Sequence, residues 1–451
     1  MGLQFRFAIW ASKKTAVLTR RLGGQGQTIS GNVAQFLCPR ALEYFASQVR
    51  EKIIVVCGTN GKTTTTNLIA SALQAEGKKV VCNRTGANMP NGVLSAFVGA
   101  SGKGGTIDAD VAVLEVDEGY ARYVFPKLRP HLMVLTNLFR DQLDRYGEID
   151  ITMDLLEKAM GECDGLSLLV NGDDVLSYYL AVDSGKEFAT YGVGEKVGAG
   201  AVNEIREGRF CKRCGAPLRY RFYHFSQLGD YECPGCGLKR PALDFDAREV
   251  DLGMPMGFTV VDGKEKRRLF TSYQGFYNIY NILAAYAALK LLGLSGDSFQ
   301  GMLSSFHPEN GRMERFSIAG SCVTLNLAKN PAGFNQNIAA LMQDPAPKDI
   351  IIAINDKEQD GRDISWLWDV DFDALRDESI KSIRVTGIRA FDMNLRLKYV
   401  DIPSKACEGM EGAVIEALEQ GTGNLYVLVN YSALYGTHGI LKRLSEGRGK
   451  A

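Results

Sequence analysis

The sequence has few histidines, no excess of charge of either sign and no long apolar run. Only four of the 451 residues are histidine, and none stands in a recognisable nucleophile motif, so a Cys-His catalytic pair is not predicted. Lysine plus arginine and aspartate plus glutamate both number 52, which argues against a global field for nucleic acid or an acidic membrane. The longest apolar runs are far shorter than the roughly 20 residues that span a bilayer, so we do not expect an integral membrane protein.

A length of 451 residues and a hydrophobic content of 45% predict two or three folded domains. We expect an N-terminal helical segment over 1–48 packed on a larger domain over 49–316, and a second domain over 317–451. The boundary follows HPENGRMERF, which contains proline, asparagine and glycine. The basic, amphipathic N-terminus is too interrupted for a signal peptide, so a cytoplasmic location is expected. Contact with the inner face of the membrane stays open, although a helix packed on its own domain is the favoured interpretation.

Short apolar strands recur along the chain with helical segments between them. This alternation predicts an α/β fold with mainly parallel sheets covered by helices in both large domains. The rhythm stops between about 205 and 240 for a cysteine-containing segment, which we interpret as an insertion. The predicted strands are Val111 to Val116, Leu132 to Leu135, Leu166 to Val170, Asp349 to Ile354, Ile383 to Thr386 and Leu425 to Val429.

The segment from Ile53 to Thr66, IIVVCGTNGKTTTT, is typical of a nucleotide phosphate site. A buried strand leads into a glycine-bounded turn and then a helix, so that backbone N–H groups point at an anion, a lysine neutralises it and a threonine hydroxyl reaches magnesium. The spacing is shorter than the common G-x-x-x-x-G-K-[ST], because Val56 occupies the first glycine position. The predicted ATP-binding residues of this loop are Gly58, Thr59, Asn60, Gly61, Lys62, Thr63 and Thr64.

Four of the ten cysteines form two C-x-x-C pairs, Cys211 with Cys214 and Cys233 with Cys236. In a reducing compartment this spacing indicates a tetrahedral zinc site with no open position, and hence a structural ribbon. The sequence between the pairs alternates like a hairpin. Four unpaired buried thiols are the alternative.

A further candidate follows the strand DVAVLEVDE, which ends in Glu115, Asp117 and Glu118. Ligands gather at the carboxyl ends of parallel strands, and a carboxylate there can hold the magnesium that bridges nucleotide phosphates. Glu115 is the first choice and Glu118 the second, with an acidic surface loop as the alternative. Thr63 and Glu115 are therefore the predicted magnesium residues.

A series of motifs, taken in chain order, resembles the Mur ligases and their folylpolyglutamate synthetase relatives. They are GTNGKT (58–63), the strand-end Glu115, the segment from Asn137 to Asp144, and GFYN-x-x-N (275–281) followed by Gly311-Arg312-Met313-Glu314. The resemblance implies a Mur-ligase-like ATP-binding domain with the inserted ribbon and a Rossmann-like C-terminal domain. It also implies that Asn281, with Asn278 as the second candidate, lies near the adenine and that Arg312 faces the phosphates; a helix cap and a surface arginine are the alternatives.

Within that superfamily, the chain is similar to the MurT branch. The ribbon, EVDE, RDQLD, NLAKNPAGFNQ (326–336) and DGRDISWLWDVDF (360–372) all fit it. This resemblance implies an ATP-dependent carbon–nitrogen ligase of peptidoglycan biosynthesis. Such a subunit activates the α-carboxylate of D-glutamate in lipid II, and ammonia from a GatD-like glutaminase subunit converts it to D-isoglutamine. Lys62 and Glu115 would act in catalysis, and Asp363, with Asp360 close behind, would complete the glutaminase triad. An acidic turn that caps the next helix is the alternative for both aspartates.

Two positions depart from the wider Mur pattern. Asn326 replaces an aspartate of many relatives, and Gln142 replaces a histidine that contributes to metal binding. Both changes disfavour a second magnesium site and an amino-acid acceptor pocket. A stand-alone Mur-type or folylpolyglutamate-type amino-acid ligase is therefore the second hypothesis, and a nucleotide-dependent scaffold without ATP turnover is the third.

Overall fold

The computed structural model describes residues 2–21, 28–141, 149–198, 207–307, 311–358 and 360–447. The α-helices are α1 Leu3–Arg21, α2 Ile29–Leu37, α3 Ala41–Ala46, α4 Lys62–Ala75, α5 Pro90–Ala100, α6 Ala121–Leu128, α7 Ile149–Gly161, α8 Val175–Asp183, α9 Tyr277–Leu291, α10 Phe299–Ser305, α11 Pro331–Met342, α12 Ala390–Lys398, α13 Met410–Gln420 and α14 Tyr431–Ser445. Short 3-10 helices are Glu118–Tyr120, Glu207–Arg209, Ser365–Asp369 and Phe372–Leu375.

The strands form two large sheets and one hairpin. They are β1 Lys52–Cys57, β2 Val80–Cys82, β3 Val111–Glu115, β4 Leu132–Leu135, β5 Ser167–Asn171, β6 Phe188–Val193, β7 Arg219–Phe225, β8 Leu228–Glu232, β9 Phe245–Asp251, β10 Met256–Asp262, β11 Glu265–Thr271, β12 Glu314–Ile318, β13 Ser321–Leu327, β14 Lys348–Ala353, β15 Ile380–Thr386, β16 Lys405–Ala406 and β17 Asn424–Val429.

The first sheet has nine strands in the order β11-β10-β9-β6-β5-β4-β1-β3-β2. From β2 to β9 all neighbouring strands run parallel. The interior strands are apolar along nearly their whole length because helices cover both faces of the sheet. The strand after β1 in the chain lies beyond β3, whereas β4 lies on the other side of β1. This reversal places the loop after β1 at a topological switch point, where α/β sheets bind ligands.

The edge of this sheet departs from the predicted alternation. Strands β9, β10 and β11 form an antiparallel meander. The turn between β10 and β11 is Gly263–Lys264, between the paired residues Asp262 and Glu265, and Gly263 has a φ of +59°. A glycine at the first position of a two-residue loop is a hairpin signal, so the sequence contained this information. The α/β class with mainly parallel sheets is confirmed.

The cysteine segment forms the separate hairpin β7–β8 between two adjacent strands of the first sheet, β6 and β9. It is therefore an insertion that leaves the order of the large sheet intact. Residues 199–206, which include the start of the insertion predicted at about 205, lie outside the described part of the chain.

The second sheet has six strands in the order β12-β13-β17-β14-β15-β16, all parallel except the β12–β13 pair. Apolar clusters cover both faces, as expected for a Rossmann-like domain. Strand β12 belongs to this sheet, so the predicted boundary at 316 falls inside a strand. The change of sheet lies between Ser305 and Glu314, earlier than predicted, because the pairing of β12 with β13 extends the second domain toward the N-terminus.

The N-terminal helices pack on the first domain. Phe5, Ile9 and Phe45 are buried in the same apolar cluster as residues of α5 and α6. Among the described residues, no helix combines the length and apolar content needed to cross a bilayer.

Candidate active site

The turn after β1 has the backbone conformation of a phosphate-binding loop. Gly58 and Gly61 have φ values of +120° and +86°, which L side chains rarely adopt. The turn is tied to the end of β4, because the Thr59 N–H donates to the Asn137 carbonyl over 2.8 Å and Thr59 Oγ1 donates to the Phe139 carbonyl over 3.0 Å. Helix α4 begins directly after the turn, at Lys62. Its first N–H groups therefore face the space where an anion can bind.

Lys62 and Glu118 form a buried ion pair inside this turn. Lys62 Nζ lies 3.1 Å from Glu118 Oε1, and the Gly58 N–H donates to the same oxygen. Burial alone would favour the neutral amine, but the carboxylates of Glu118 and Glu115 outweigh it and raise the pKa of Lys62. Glu118 thus contacts the Lys62 ammonium and the Gly58 N–H, the two groups that a nucleotide phosphate would contact. The sequence placed Glu118 as second choice for magnesium, whereas here it contacts the lysine.

Thr63 and Glu115 lie in direct contact at the start of α4. Thr63 Oγ1 donates to Glu115 Oε2 over 2.5 Å, and Asn88 Nδ2 donates to Glu115 Oε1 over 2.9 Å. Arg312 reaches the same threonine from the start of the second domain, with Nη2 2.9 Å from Thr63 Oγ1. The predicted magnesium pair and the predicted phosphate arginine are therefore side by side.

The loop after β2 positions Glu115, and sequence reasoning did not single it out. Asn83 accepts a 2.8 Å hydrogen bond from the Glu115 N–H and donates to its carbonyl over 2.9 Å. Gly86, with a φ of +77°, lies so close that a Cβ would be 2.9 Å from Thr63 Oγ1 and 3.3 Å from Glu115 Oε2. The polar run NRTGANM (83–89) directly after a strand was the available signal, since strand ends at one sheet edge meet there.

Asn281 in α9 contacts the turn from the opposite side. Thr65 Oγ1 donates to Asn281 Oδ1 over 3.2 Å, and a Cβ on Gly61 would lie 2.2 Å from the same oxygen. Asn281 lines the cavity described below, whereas buried Asn278 accepts from Asn281 Nδ2 and donates to the Gln274 carbonyl. Asn278 therefore positions the side-chain amide of Asn281. Thr64 faces Tyr273, with 3.4 Å between the hydroxyl oxygens.

A cavity of about 1140 Å³ lies over these residues and between the two domains. The phosphate turn of the first domain and Arg312 of the second both line it, together with aromatic side chains that include Phe139, Phe225 and Tyr277. The glycines permit close backbone approach to a phosphate, and the buried lysine and the arginine match its charge. The adjacent hydroxyl and carboxylate oxygens fit a hard divalent cation. The cavity thus has the donor set for ATP and Mg²⁺.

The domains meet through polar contacts beside the turn. The side-chain amides of Asn60 and Asn330 exchange two hydrogen bonds of 3.2 and 3.1 Å, and Lys329 pairs with Asp141. Asn326 is buried at the same junction, where Oδ1 accepts from the Met313 N–H over 3.0 Å. Gln142, the other departure from the Mur pattern, lies outside the described residues.

The four predicted zinc residues converge on one point. The sulfurs of Cys211, Cys214, Cys233 and Cys236 all lie within 4.8 Å of one another. After each first cysteine the chain turns back, with the Gly215 N–H donating to the Cys211 carbonyl and the Gly237 N–H to the Cys233 carbonyl. Four thiol ligands and two matching turns fit a closed tetrahedral metal site.

The tip of the same hairpin reaches the nucleotide cavity. Phe225 and Leu228 line the cavity, and Gln227 Nε2 donates to the Leu138 carbonyl over 2.6 Å. The next residue, Phe139, donates its N–H to Thr59 Oγ1 over 2.9 Å. The ribbon is therefore connected to the phosphate turn, which spacing alone did not indicate because the contact joins residues far apart in sequence.

The DGRD segment has one buried and one exposed aspartate. Asp360 Oδ1 accepts from the Ser432 N–H over 2.8 Å, and burial raises the pKa of Asp360. Asp363 is exposed, and the Ser365 N–H donates to it over 2.8 Å, which lowers the pKa of Asp363. Asp363 therefore makes the turn that the acidic-cap alternative describes, while its side chain stays accessible to another protein.

Known families match both large domains. The Mur ligase middle domain matches residues 56–231, and the MurT ligase C-terminal domain matches 327–434. The lipid II isoglutaminyl synthase subunit MurT of Staphylococcus aureus strain N315 is 34% identical over 98% of both chains. The chain belongs to the MurT family. The MurT subunit of Streptococcus pneumoniae strain R6 is 33% identical over 96% of both chains, and the names of both relatives describe a glutamine-hydrolysing synthase.

Solved structures share the fold at lower identity. A pseudomurein peptide ligase type C from Methanothermus fervidus has a TM-score of 0.65 at 21% identity, and covers 89% of this chain and 80% of its own. MurF from Thermotoga maritima in complex with ADP has a TM-score of 0.63 at 12% identity, and covers 93% and 85%. The Mur-ligase-like fold expected from the motifs is confirmed.

Proposed function

We propose that this chain is the synthase subunit of a lipid II isoglutaminyl synthase in peptidoglycan biosynthesis. It activates the α-carboxylate of D-glutamate in the lipid II stem peptide with ATP and amidates it with ammonia from a glutaminase subunit. The main support is the Lys62–Thr63–Glu115–Arg312 site at a domain junction, in a chain 34% identical to a MurT subunit over 98% of its length.

The chemistry follows from the charges at the site. The substrate carboxylate oxygen bonds to the γ-phosphorus and ADP leaves, which gives an acyl phosphate; ammonia then attacks the carbonyl carbon and phosphate departs with that oxygen. The ammonium of Lys62 and the guanidinium of Arg312 would neutralise the phosphates. Thr63 and Glu115 would hold Mg²⁺, which when bound offsets the charge of the β- and γ-phosphates.

The acceptor is ammonia in this proposal. Asn326 places a neutral amide, already bonded to the Met313 N–H, where many relatives have a carboxylate. Ammonia in bulk water at neutral pH is mostly ammonium, so delivery by a docked subunit keeps it nucleophilic. This view disfavours a stand-alone amino-acid ligase.

We assign the glutaminase contact to the outer face of the second domain. Exposed apolar side chains lie there on α12, on the residues that flank it and on the 3-10 helix Ser365–Asp369: Trp368, Ile388, Phe391, Leu395 and Tyr399. Trp368 and Tyr399 pack edge to face with ring centroids 5.1 Å apart. Asp363 precedes this 3-10 helix, so a partner seated on the cluster would have the carboxylate near its surface. There Asp363 would orient the imidazole of the partner's Cys-His pair.

The four cysteines would hold a structural Zn²⁺ in this proposal. Sulfur ligands in tetrahedral array favour zinc, and no ligand position remains for substrate.

A glutamine-dependent amidation assay of the reconstituted pair tests the proposal. With ATP, Mg²⁺, lipid II and the glutaminase subunit, we expect D-isoglutamine to form; ATP hydrolysis without the amide would reject the assignment. Product formation with a free amino acid and no partner would instead support the stand-alone ligase.

The role of Asp363 has a matched control in the same domain. Asp363→Asn should lower glutamine hydrolysis by the complex at least 100-fold while free ammonium still supports amidation, since an aspartate that orients a catalytic imidazole has large effects. Asp377 makes the same 2.8 Å turn contact with the Ser379 N–H, so Asp377→Asn should leave hydrolysis unchanged. Asp360→Asn, measured in parallel, decides between the two aspartates of the segment.

A further inference from the structure

Helix α1 exposes an apolar strip although its other face is packed on the first domain. Phe5, Ala8, Ile9 and Ser12 are buried. The outer face presents Leu3, Phe7, Trp10, Val17 and Leu18, with Phe7 and Trp10 stacked at 5.9 Å between ring centroids. Phe36 of α2 is 85% exposed. It lies beside this strip because Gln4 Nε2 donates to the carbonyl of its neighbour Leu37 over 2.9 Å.

The charged residues in the first 42 positions all have one sign. Before Glu43 the sequence contains no acidic residue, and its charged side chains are Arg6, Lys13, Lys14, Arg20, Arg21 and Arg40. Arg6 and Lys14 are exposed on the outer side of the helix. The whole chain has no net charge, so this is a local accumulation. Exposed aromatic side chains among basic ones are typical of helices that lie in the interface of an anionic bilayer.

The strip begins at the active-site cavity. Thr19 near the end of α1, and Thr28 and Ile29 at the start of α2, line the cavity. From Thr19 to Leu3 the helix extends for about 24 Å at 1.5 Å per residue. A surface that lies on the membrane along this line would hold the cavity mouth close to the lipid headgroups.

We propose that the outer face of α1, with Phe36, is a membrane-docking surface that seats the protein on anionic lipid. This inference rests on the proposed function for its purpose, because a lipid-anchored substrate must be reached at the bilayer surface. The contact itself needs no substrate: apolar side chains enter the headgroup boundary while Arg6 and Lys14 attract anionic lipids.

Binding of the full chain to vesicles without substrate tests the surface directly. We expect cosedimentation with vesicles of equal parts phosphatidylglycerol and phosphatidylcholine, weakened by salt, and little with phosphatidylcholine alone. The double variant Arg6→Glu with Lys14→Glu should lower binding roughly thirty-fold or more, since each basic residue near an anionic surface contributes about five-fold. Phe7→Ser with Trp10→Ser should lower it at least ten-fold.

Matched controls lie elsewhere on the first domain. Lys264→Glu with Lys266→Glu changes the same charge on an exposed turn and edge strand, and Phe270→Ser removes an aromatic ring that is 46% exposed. Both should bind vesicles like the wild type. The proposal is wrong if the wild type does not bind anionic vesicles or if the α1 variants bind them as well as the wild type does. It is also wrong if those variants instead change self-association or glutaminase binding.

Activity on two substrates separates this inference from the proposed function. The α1 variants should lose amidation of lipid II embedded in vesicles more strongly than amidation of a short-chain, water-soluble analogue. An equal loss on both substrates would contradict the docking role. If the wild type amidates neither substrate, the proposed function fails while vesicle binding still decides the surface.

Discussion

Individual side chains in the candidate site are held by several contacts at once. Both carboxylate oxygens of Glu115 accept hydrogen bonds, from Thr63 and Asn88, while its backbone is bonded to Asn83. Lys62 is surrounded by the Gly58 carbonyl and the Glu118 carboxylate. Such positioning limits the reorganisation needed when charge develops on a phosphate.

Gly86→Ala should impair magnesium-dependent activity without unfolding the protein. The added methyl group would lie 2.9 Å from Thr63 Oγ1 and 3.3 Å from Glu115 Oε2, so it displaces the two proposed metal ligands. We expect amidation to fall at least ten-fold, with a raised magnesium requirement in a titration. Gly77→Ala has the same backbone strain, at a φ of +81°, but nothing within 4 Å of the new methyl group. Each variant should lose about 1–2 kcal/mol of stability; equal activity in both would contradict the proposed role of the Thr63–Glu115 pair.

Glu118→Gln should strengthen nucleotide binding measured without magnesium. The carboxylate occupies Lys62 and the Gly58 N–H, which a phosphate must contact, and it adds negative charge beside that phosphate. Calorimetry should show a dissociation constant several-fold lower than in the wild type. Glu115→Gln is the comparison, since it should mainly weaken the magnesium-dependent part of binding. Weaker binding in Glu118→Gln would mean that Glu118 supports the nucleotide instead of competing with it.

At the scale of elements, the ribbon hairpin connects the cysteine site to the phosphate turn. Its tip bonds to Leu138 through Gln227, and Phe139 bonds to Thr59. Inside the first domain, His224 Nδ1 lies 2.6 Å from the Tyr280 hydroxyl, which donates to Asp173 over 2.7 Å. Burial lowers the pKa of His224, against the opposing effect of the Asp173 carboxylate. The tip of the hairpin is thus held by contacts to both Leu138 and Tyr280.

Removal of the metal should therefore weaken nucleotide binding as well as stability. Chelation, or Cys214→Ser at the exposed ligand, should abolish zinc content, lower the melting temperature and raise the ATP dissociation constant several-fold. Cys322→Ser, which is exposed and outside the ribbon, should change none of these. A zinc-free but folded protein with unchanged ATP affinity would show that the ribbon tip does not support the turn.

Local patterns in the sequence were enough for most elements but not for their long-range contacts. The strand–turn–helix at 53–66 and the paired C-x-x-C turns are short, so neighbouring residues determine them. The antiparallel meander was missed although the glycine of its Gly263–Lys264 turn was a signal for it. The tip of the ribbon at Phe225, and the support of Glu115 by Asn83, depend on packing between segments that only the folded chain brings together. The proposed roles of the predicted site residues remain predictions.

At the scale of the whole molecule, the cavity exists because two domains meet over the phosphate turn. Arg312 and Asn330 lie near the start of the second domain. They form hydrogen bonds with Thr63 and Asn60 of the first domain. Activation of a carboxylate requires substrate and ATP in one enclosed space, so these contacts should control the productive arrangement.

Asn330→Ser should lower turnover while stability is largely retained. Asn330 Oδ1 accepts from the Gly333 N–H as the cap of α11, and serine can also cap a helix, but its shorter side chain cannot reach Asn60. We expect kcat to fall roughly five- to ten-fold, which corresponds to a net loss of about 1 to 1.4 kcal/mol from the two hydrogen bonds with Asn60. Asn330→Ala should show the same kinetic loss together with about 1 kcal/mol of lost stability. Unchanged kcat in both would argue that the junction does not position the reactants.

The fate of the substrate oxygen shows directly whether the carboxylate is activated as an acyl phosphate. Lipid II carrying ¹⁸O in the α-carboxylate of D-glutamate is converted by the complete complex with ATP and glutamine, and the released inorganic phosphate is analysed by mass spectrometry. We expect one ¹⁸O atom in phosphate for each D-isoglutamine formed from fully labelled substrate. Amide formation with unlabelled phosphate would contradict an acyl phosphate made at Lys62, Thr63 and Glu115.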